Sequence, residues 1–304
     1  MNHIQQLRES IRAFAKDETD DVLLAEWDRT EEVPWAHFEQ LATLGIHGYT
    51  IDEAYGGKGR DIRVTLAILE ELSRISLSLA VPYLMASCYA GVNLSECGSE
   101  EQKRRFLPLA AKGELRFCFG LTEADVGSDL SAVATRAVLD GDRVIVDGAK
   151  TFINGANIAD YMYTLVRSDD TPRTSRNFTL LLIPMSASGV EVSRVQAFGM
   201  RGSAQLCNVE LKSVRIGSDL IVGGPDGWNK GWGTLLGPGL DIEKLEVAAM
   251  ALGVASAALD RAEAYSRQRV QFRQAHHRIP VSRLFHGGCP HQAAGLPADA
   301  GRCH

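Results

Sequence analysis

The chain has 304 residues, 45% of them apolar, and a formal net charge of −6. This length implies more than one structural unit, and the apolar share is that of a protein with a real core. The acidic balance speaks against nucleic acid or an anionic membrane as partner, and no apolar run stands out as long enough to cross a bilayer.

The N-terminus, MNHIQQLRESIRAFAKDE, lacks the apolar stretch of a signal peptide and is not an Arg/Ser-rich transit sequence. It reads as a helix with Ile4, Leu7, Ile11 and Phe14 on one face, and the expected compartment is the cytoplasm. Cys88, Cys97, Cys118, Cys207, Cys289 and Cys303 form no CxxC pair, so reduced and mostly buried thiols are expected.

Residues 1–115 read as helical. FEQLATLGI and LAILEELSRI repeat apolar residues at three and four, and EAYGGKGRD breaks the pattern between them. Residues 116–225 change period. RVIVDGAKTFI, FTLLLIPM and LCNVELKSVRI alternate or run β-branched, with turn signals at Asp140-Gly141 and Asp147-Gly148. After the connector GGPDGWNKGWGTLLGPGLD, residues 226–272 read as the start of a helical domain. Its long helix is expected to begin near Asp241 as N-cap, with Leu245, Ala249, Leu252, Ala255, Leu259 and Ala262 on one face. The fold class is therefore α+β: an N-terminal helical domain, a middle β-barrel or sandwich, and an incomplete C-terminal helical bundle. A cleft is expected where the β domain meets the helices.

FGLTEADVGSD (Phe119–Asp129) carries the sharpest local signal. A strand runs into a turn of small and hydroxyl residues whose backbone N–H groups suit a polar ring edge or a phosphate, although an ordinary strand-to-loop turn reads the same way. KTFIN (Lys150–Asn154) follows on another strand and offers an aromatic ring and an amide to flank a planar group.

With these motifs the chain resembles the acyl-CoA dehydrogenase family over residues 1–272. EAYGGKG, GSEEQKRRFLPLAAKGE, FGLTEADVGSD, FGMRGSAQ and then LDIEK with RVQF stand in the family's order and spacing. The resemblance implies an FAD enzyme of fatty-acid metabolism that oxidises an acyl-CoA thioester between Cα and Cβ. In that chemistry a carboxylate removes the α-proton and a hydride leaves Cβ for the flavin. It implies Phe119, Leu121 and Thr122 along the flavin ring and Gly127 and Ser128 on the cofactor, with Ser128 also on the CoA arm. Phe152, Ile153 and Asn154 would lie on the flavin's other side, and Arg269 and Phe272 would reach toward a neighbouring subunit's FAD. A solvated helix charge is the alternative for Arg269. Ala124-Asp125 replaces the family's usual Pro-Gly, Asn154 its usual Thr, and Lys244 its usual Arg.

The resemblance places the catalytic base at Glu243, where isovaleryl-CoA and long-chain acyl-CoA dehydrogenases carry it, or in a later segment, where most members do. Asp241 and Lys244 would serve the substrate side. A helix-start acid is held ionised by the macrodipole, so a working base at Glu243 needs burial to raise its proton affinity. The implied partners are acyl-CoA, an electron-transfer flavoprotein as acceptor, and a homotetramer of the chain. A flavin oxidase, reductase or monooxygenase of the same fold, and a non-catalytic fragment, stand as the alternative readings.

Residues 273–304 depart from the family, which is expected to continue the long helix. For a choice of permitted codons, reading one base later turns RQAHHRIPVSR into Gly-Arg-Pro-Ile-Thr-Ala-Phe-Gln-Ser-Val-Ala, a family-like continuation. An out-of-frame tail over residues 273–304 that ends at a premature stop is therefore expected, with the activity impaired by the truncation of the C-terminal domain. His276, His277, His286, Cys289 and His291 are not expected to hold a metal, because their spacing matches no zinc pattern.

Overall fold

The computed structural model describes residues 3–169, 177–197 and 205–279. The FGMRGS turn and the tail from residue 280, with His286, Cys289, His291 and Cys303, lie outside them.

Three short amphipathic helices open the chain: α1 (His3–Glu18), α2 (Asp21–Thr30) and α3 (Trp35–Thr43). Asp20 caps α2 by accepting from the Leu23 N–H at 2.7 Å. After the EAYGGKGRD loop, α4 (Ile62–Ile75) buries Val64, Ile68, Leu69 and Leu72. These side chains pack with Ile11, Leu41 and Tyr83 as the core of the helical domain. Glu71 is also buried there, its carboxylate taken by Arg8 and Arg12 of α1.

The next helix runs unbroken from Leu77 to Cys97. It comprises α5 (Leu77–Tyr83), a π-helical stretch Leu84–Val92, and α6 (Asn93–Cys97). By length and composition it could cross a membrane, contrary to the sequence expectation, but 83% of its apolar window is buried inside the protein. It is a core helix touching both domains, and so has no polar face to interrupt its hydropathy. Then α7 (Glu100–Ala110) begins with a reciprocal capping box between Ser99 and Gln102.

The middle domain is one curled seven-stranded sheet in the order β1-β4-β2-β3-β7-β6, with β5 paired to β4. Its strands are β1 (Phe117–Gly120), β2 (Arg136–Asp140), β3 (Arg143–Asn154), β4 (Tyr161–Arg167), β5 (Phe178–Pro184), β6 (Val190–Arg194) and β7 (Leu206–Gly217). Asp140-Gly141 makes the expected β2–β3 turn, with Gly141 at φ 63°. Asp147-Gly148 makes no turn. It is a bulge inside β3 where the register against β7 shifts between Val146 and Gly148. A bulge and a tight turn both call on Asp-Gly, so the dipeptide alone does not separate them.

The short helix α8 (Gly231–Leu235) leads into α9 (Pro238–Gln268). The long helix starts three residues before Asp241, with Pro238 in its first turn and Gly237 at the cap, so Asp241 is not the N-cap. Its buried face also differs from the expected one. Glu246, Gly253 and Ser266 are buried, whereas Leu245 and Ala255 are exposed. Gly253 explains the choice of face: a Cβ there would stand 2.2 Å from the Glu70 carbonyl oxygen, so α4 packs against backbone. The helix stops at Gln268 rather than continuing past RVQF, and residues 270–275 fold back as a small hairpin of β8 (Val270–Gln271) and β9 (Gln274–Ala275).

Candidate functional site

The two sequence motifs of the sheet meet. The Thr151 N–H donates to the Thr122 carbonyl at 3.0 Å, joining the turn after β1 to the end of β3. Beneath this junction lies a buried ion pair that sequence reasoning missed. Lys150 is 1% exposed and donates to Glu123 at 2.8 Å, to the Leu165 carbonyl at 2.8 Å and to the Leu121 carbonyl at 3.3 Å. Glu123 also accepts from the Ala134 N–H at 2.7 Å and the Thr135 N–H at 3.0 Å. Burial pushes the Glu123 carboxyl up, but Lys150 and these donors together hold it below its ordinary range. Burial lowers the Lys150 ammonium in turn, against the pull of Glu123. Both residues stand inside the quoted motifs, LTEAD and KTFIN. Their signal was a glutamate in the turn after β1 and a lysine in the interior of β3, each set among apolar and small residues.

Above this brace the side chains divide. Phe119, Leu121 and Thr122 are half-buried, and Gly127 and Ser128 are exposed. Phe152 is 58% exposed and sits at φ 57°, a conformation that costs a bulky residue energy. It lies where the β3–β7 register shifts again, between Lys150 and Ile153. The bulge turns Phe152 and Asn154 outward and Ile153 into the core, at 2% exposure. Ile153 therefore offers the surface only its backbone. A cavity of about 400 Å³ adjoins the turn, lined by Glu123, Asp125, Val126, Thr135 and Gly148 among others.

The helical side of the site is built from the π-helical stretch and α9. The Tyr89 ring stands edge-on to Phe119, centroids 4.5 Å apart. Its hydroxyl faces Glu243 and favours that carboxyl's charged form. Burial nonetheless dominates and pushes the Glu243 carboxyl above its ordinary range, as a base at this position requires. Asp241 and Lys244 point outward instead and pair with each other at 2.8 Å, with side chains 80% and 69% exposed. A hollow of about 290 Å³ lined by Tyr49, Thr50, Arg60, Ile62, Val92 and Ile242 lies beside Glu243's chain neighbour.

A second carboxyl, absent from the sequence expectation, lies one helical turn on. Glu246 is 1% exposed, and its Oε1 has no hydrogen-bond partner. Burial pushes it up to about 7, against the facing Cys88 thiol and with the help of the Glu243 charge. Its signal was an acid inside the apolar run LEVAAM.

Arg269 and Phe272 lie elsewhere, at the far end of α9. Both are exposed, and Phe272 caps the small hairpin at φ 51° with 87% exposure. Among the described residues no group of His, Cys, Asp and Glu side chains is placed to hold a metal.

The described surface has the parts a planar redox ring needs: apolar rings at Phe119 and Phe152, and hydroxyl and backbone donors at Thr122 and Ser128. With a helical domain before the sheet and a long helix after it, this arrangement belongs to the class of flavoprotein oxidoreductases that act on acyl thioesters. The sequence signatures of the acyl-CoA dehydrogenase N-terminal, middle and C-terminal domains match residues 2–114, 118–214 and 229–285. The chain belongs to the acyl-CoA dehydrogenase family, whose members are flavoprotein oxidoreductases of fatty-acid metabolism. It is 34% identical over 267 residues to the 3-(aryl)acrylate reductase of Clostridium sporogenes, covering 88% of this chain and 69% of that protein. It is 32% identical over 272 residues to a short-chain-specific acyl-CoA dehydrogenase of Clostridium acetobutylicum, again covering 88% and 69%. Among solved structures, butyryl-CoA dehydrogenase from Megasphaera elsdenii superposes with TM-score 0.86 at 26% identity, covering 96% of this chain and 76% of that one.

Proposed function

We propose that the chain is an FAD-dependent acyl-CoA dehydrogenase that converts an acyl-CoA thioester to its enoyl form, with Glu243 as the base. The observation that carries this reading is the position of Glu243: a carboxyl raised by burial, faced by Tyr89, whose ring packs on Phe119 beside the candidate flavin surface. FAD supplies the hydride acceptor. Phe119, Leu121, Thr122, Gly127, Ser128, Phe152 and Asn154, with the Ile153 backbone, are the residues that would hold it. Glu243 takes the α-proton onto its carboxylate oxygen, and the buried Tyr89 hydroxyl steadies the charge before transfer. The apolar wall of Val92 and Ile242 keeps water from the acyl chain. Ser128 serves the CoA arm. Asp241 and Lys244, tied together on the outside, would act at the mouth of the site. Arg269 and Phe272, exposed at the end of α9, suit contact with a second copy of the chain, as a homotetramer would give.

An electron-transfer flavoprotein is the proposed acceptor. A relative at 29% identity is a subunit of the caffeyl-CoA reductase–Etf complex of Acetobacterium woodii. The cytoplasm is the proposed compartment. A second reading, reduction of an activated acrylate on the same site, is favoured by the likeness to the 3-(aryl)acrylate reductase. Visible absorption separates the two. Purified chain loaded with FAD and mixed with saturated acyl-CoAs should bleach, and Glu243→Gln should not. Flavin that no saturated acyl-CoA bleaches, yet that an acrylate reoxidises after chemical reduction, would favour the reductase, and bleaching undiminished in Glu243→Gln would remove Glu243 as base.

A further inference from the structure

Glu243 and Glu246 are three apart on α9, so their side chains are neighbours on one helix face. Both point into the protein, against two consecutive residues of the π-helical stretch: Tyr89 faces Glu243, and Cys88 faces Glu246. π-helical segments inside a longer helix are rare and occur frequently at functional sites.

Among the described residues nothing cationic neutralises the inner carboxyl. Tyr83, Cys88 and Tyr89 face it from the core helix, all of them neutral at ordinary pH, and Glu243 faces it from its own helix. The charged groups of the other packed elements are engaged elsewhere. On α4, Arg63 is held by Asp61, Glu70 and Glu71 by Arg8, and Arg74 by Asp260. On α6, Glu96 is held by Arg60, and on α9 Lys244 is held by Asp241. His276 and His277 belong to the far end of α9, where His277 faces the Ser266 carbonyl. Among the described residues no ion pair includes Glu246.

We propose that Glu246 is a positioning residue for Glu243: the two carboxyls form a coupled pair that carries one negative charge at rest, on Glu243, and takes a second only when Glu246 releases its proton. Glu246 is thus the resting holder of the proton, and its own ionisation places a charge beside Glu243 that strengthens it as a base. Two carboxylates this close in a dry site cannot both ionise in the ordinary range. Glu246 is the deeper of the two, and burial pushes it up to about 7. The only bond that changes is the O–H of Glu246, whose proton leaves to solvent. The inference rests on Glu243 being the base.

The test uses the full chain with carboxyl-13C glutamate, titrated by NMR. A resonance titrating near neutral pH should vanish in Glu246→Gln and move to lower pH in Glu243→Gln, which removes the neighbouring charge. An unchanged Glu246 midpoint in Glu243→Gln would overturn the coupling. The second readout is the rate of flavin bleaching by acyl-CoA against pH. The native chain should show a rise in kcat through neutral pH that Glu246→Gln lacks, with KM unchanged. A full neutral-pH rise retained in Glu246→Gln would overturn the role. If no acyl-CoA bleaches the flavin, the dehydrogenase reading falls, and the carboxyl midpoints still decide whether the pair exists.

Discussion

The rings of Tyr89 and Phe119 meet edge to face, with centroids 4.5 Å apart and planes at 74°, and so tie the π-helical stretch to the turn after β1. Through this contact one residue touches both the candidate flavin surface and the candidate base. Removing only the hydroxyl should separate these roles. In Tyr89→Phe the ring contact stays, but Glu243 loses the group that opposes its burial, so its proton affinity rises further. A hydrogen bond to a charged group contributes about 1.5–3 kcal/mol. The acid limb of the bleaching rate should therefore move to higher pH, and the rate below it should fall on the order of tenfold or more. Stopped-flow bleaching at several pH values checks this. An unmoved limb with FAD still bound would mean that the hydroxyl does not act on the base.

The Glu123–Lys150 pair predicts a large and one-sided cost. Breaking a buried pair by removing one partner costs about 3–5 kcal/mol, because the other charge stays buried and alone. Lys150→Met should lose stability on that scale in urea unfolding. The loss should shrink on acidification, as Glu123 becomes protonated. The sign follows from the depressed folded-state carboxyl: its contribution is present above the unfolded value and is lost as pH falls through the folded one. A Lys150→Met protein as stable as the native chain would show that the brace is dispensable.

Glu246 has the opposite sign. Its folded-state proton affinity is raised from 4.5 to about 7, so its contribution is complete below the unfolded value and is lost as pH rises through the folded one. The loss between those limits is about 3 kcal/mol, at 1.36 kcal/mol for each unit. The native chain should therefore weaken from mildly acid to neutral pH, and Glu246→Gln should flatten that slope. Unfolding midpoints measured across this range decide it.

Much of this was legible because periodicity reports burial. Ile11, Leu41 and Leu72 fall in the core where their helical spacing put them, and the β-rich middle reads directly from alternation. The rest was hidden by residues whose role depends on a partner distant in sequence. Asp147-Gly148 carries turn chemistry but is spent on a bulge, and only the register against β7 tells the two apart. The buried face of α9 is set by Gly253 and the Glu70 carbonyl, not by the leucines. Glu246 looks like a surface acid until α9 is docked on the core helix.

Gly253 tests that docking by reversing a usual sign. Gly→Ala in an exposed helix stabilises by about 1 kcal/mol. Here the new Cβ would meet the Glu70 carbonyl oxygen at 2.2 Å and the Ser73 Cβ at 2.8 Å. Backbone cannot yield as a flexible side chain does, so Gly253→Ala should destabilise by about 1–3 kcal/mol, the range for overpacking. Thermal unfolding gives the sign directly, and a stabilised Gly253→Ala protein would mean that α9 does not lie this close to α4.

Phe152 couples stability to function. Its φ of 57° suits glycine, yet the position carries a large ring that is 58% exposed. Strain of this kind costs about 1–3 kcal/mol and persists at sites where the side chain is needed. Phe152→Gly should therefore raise the stability of the FAD-free chain by about 1 kcal/mol, net of the added chain entropy of glycine. It should also weaken FAD binding, because the ring that would cover the flavin is gone. The two readouts, urea unfolding without FAD and flavin fluorescence titration with it, should move in opposite directions. If FAD binds Phe152→Gly as tightly as the native chain, Phe152 does not contact the flavin, and its conformation needs another cause.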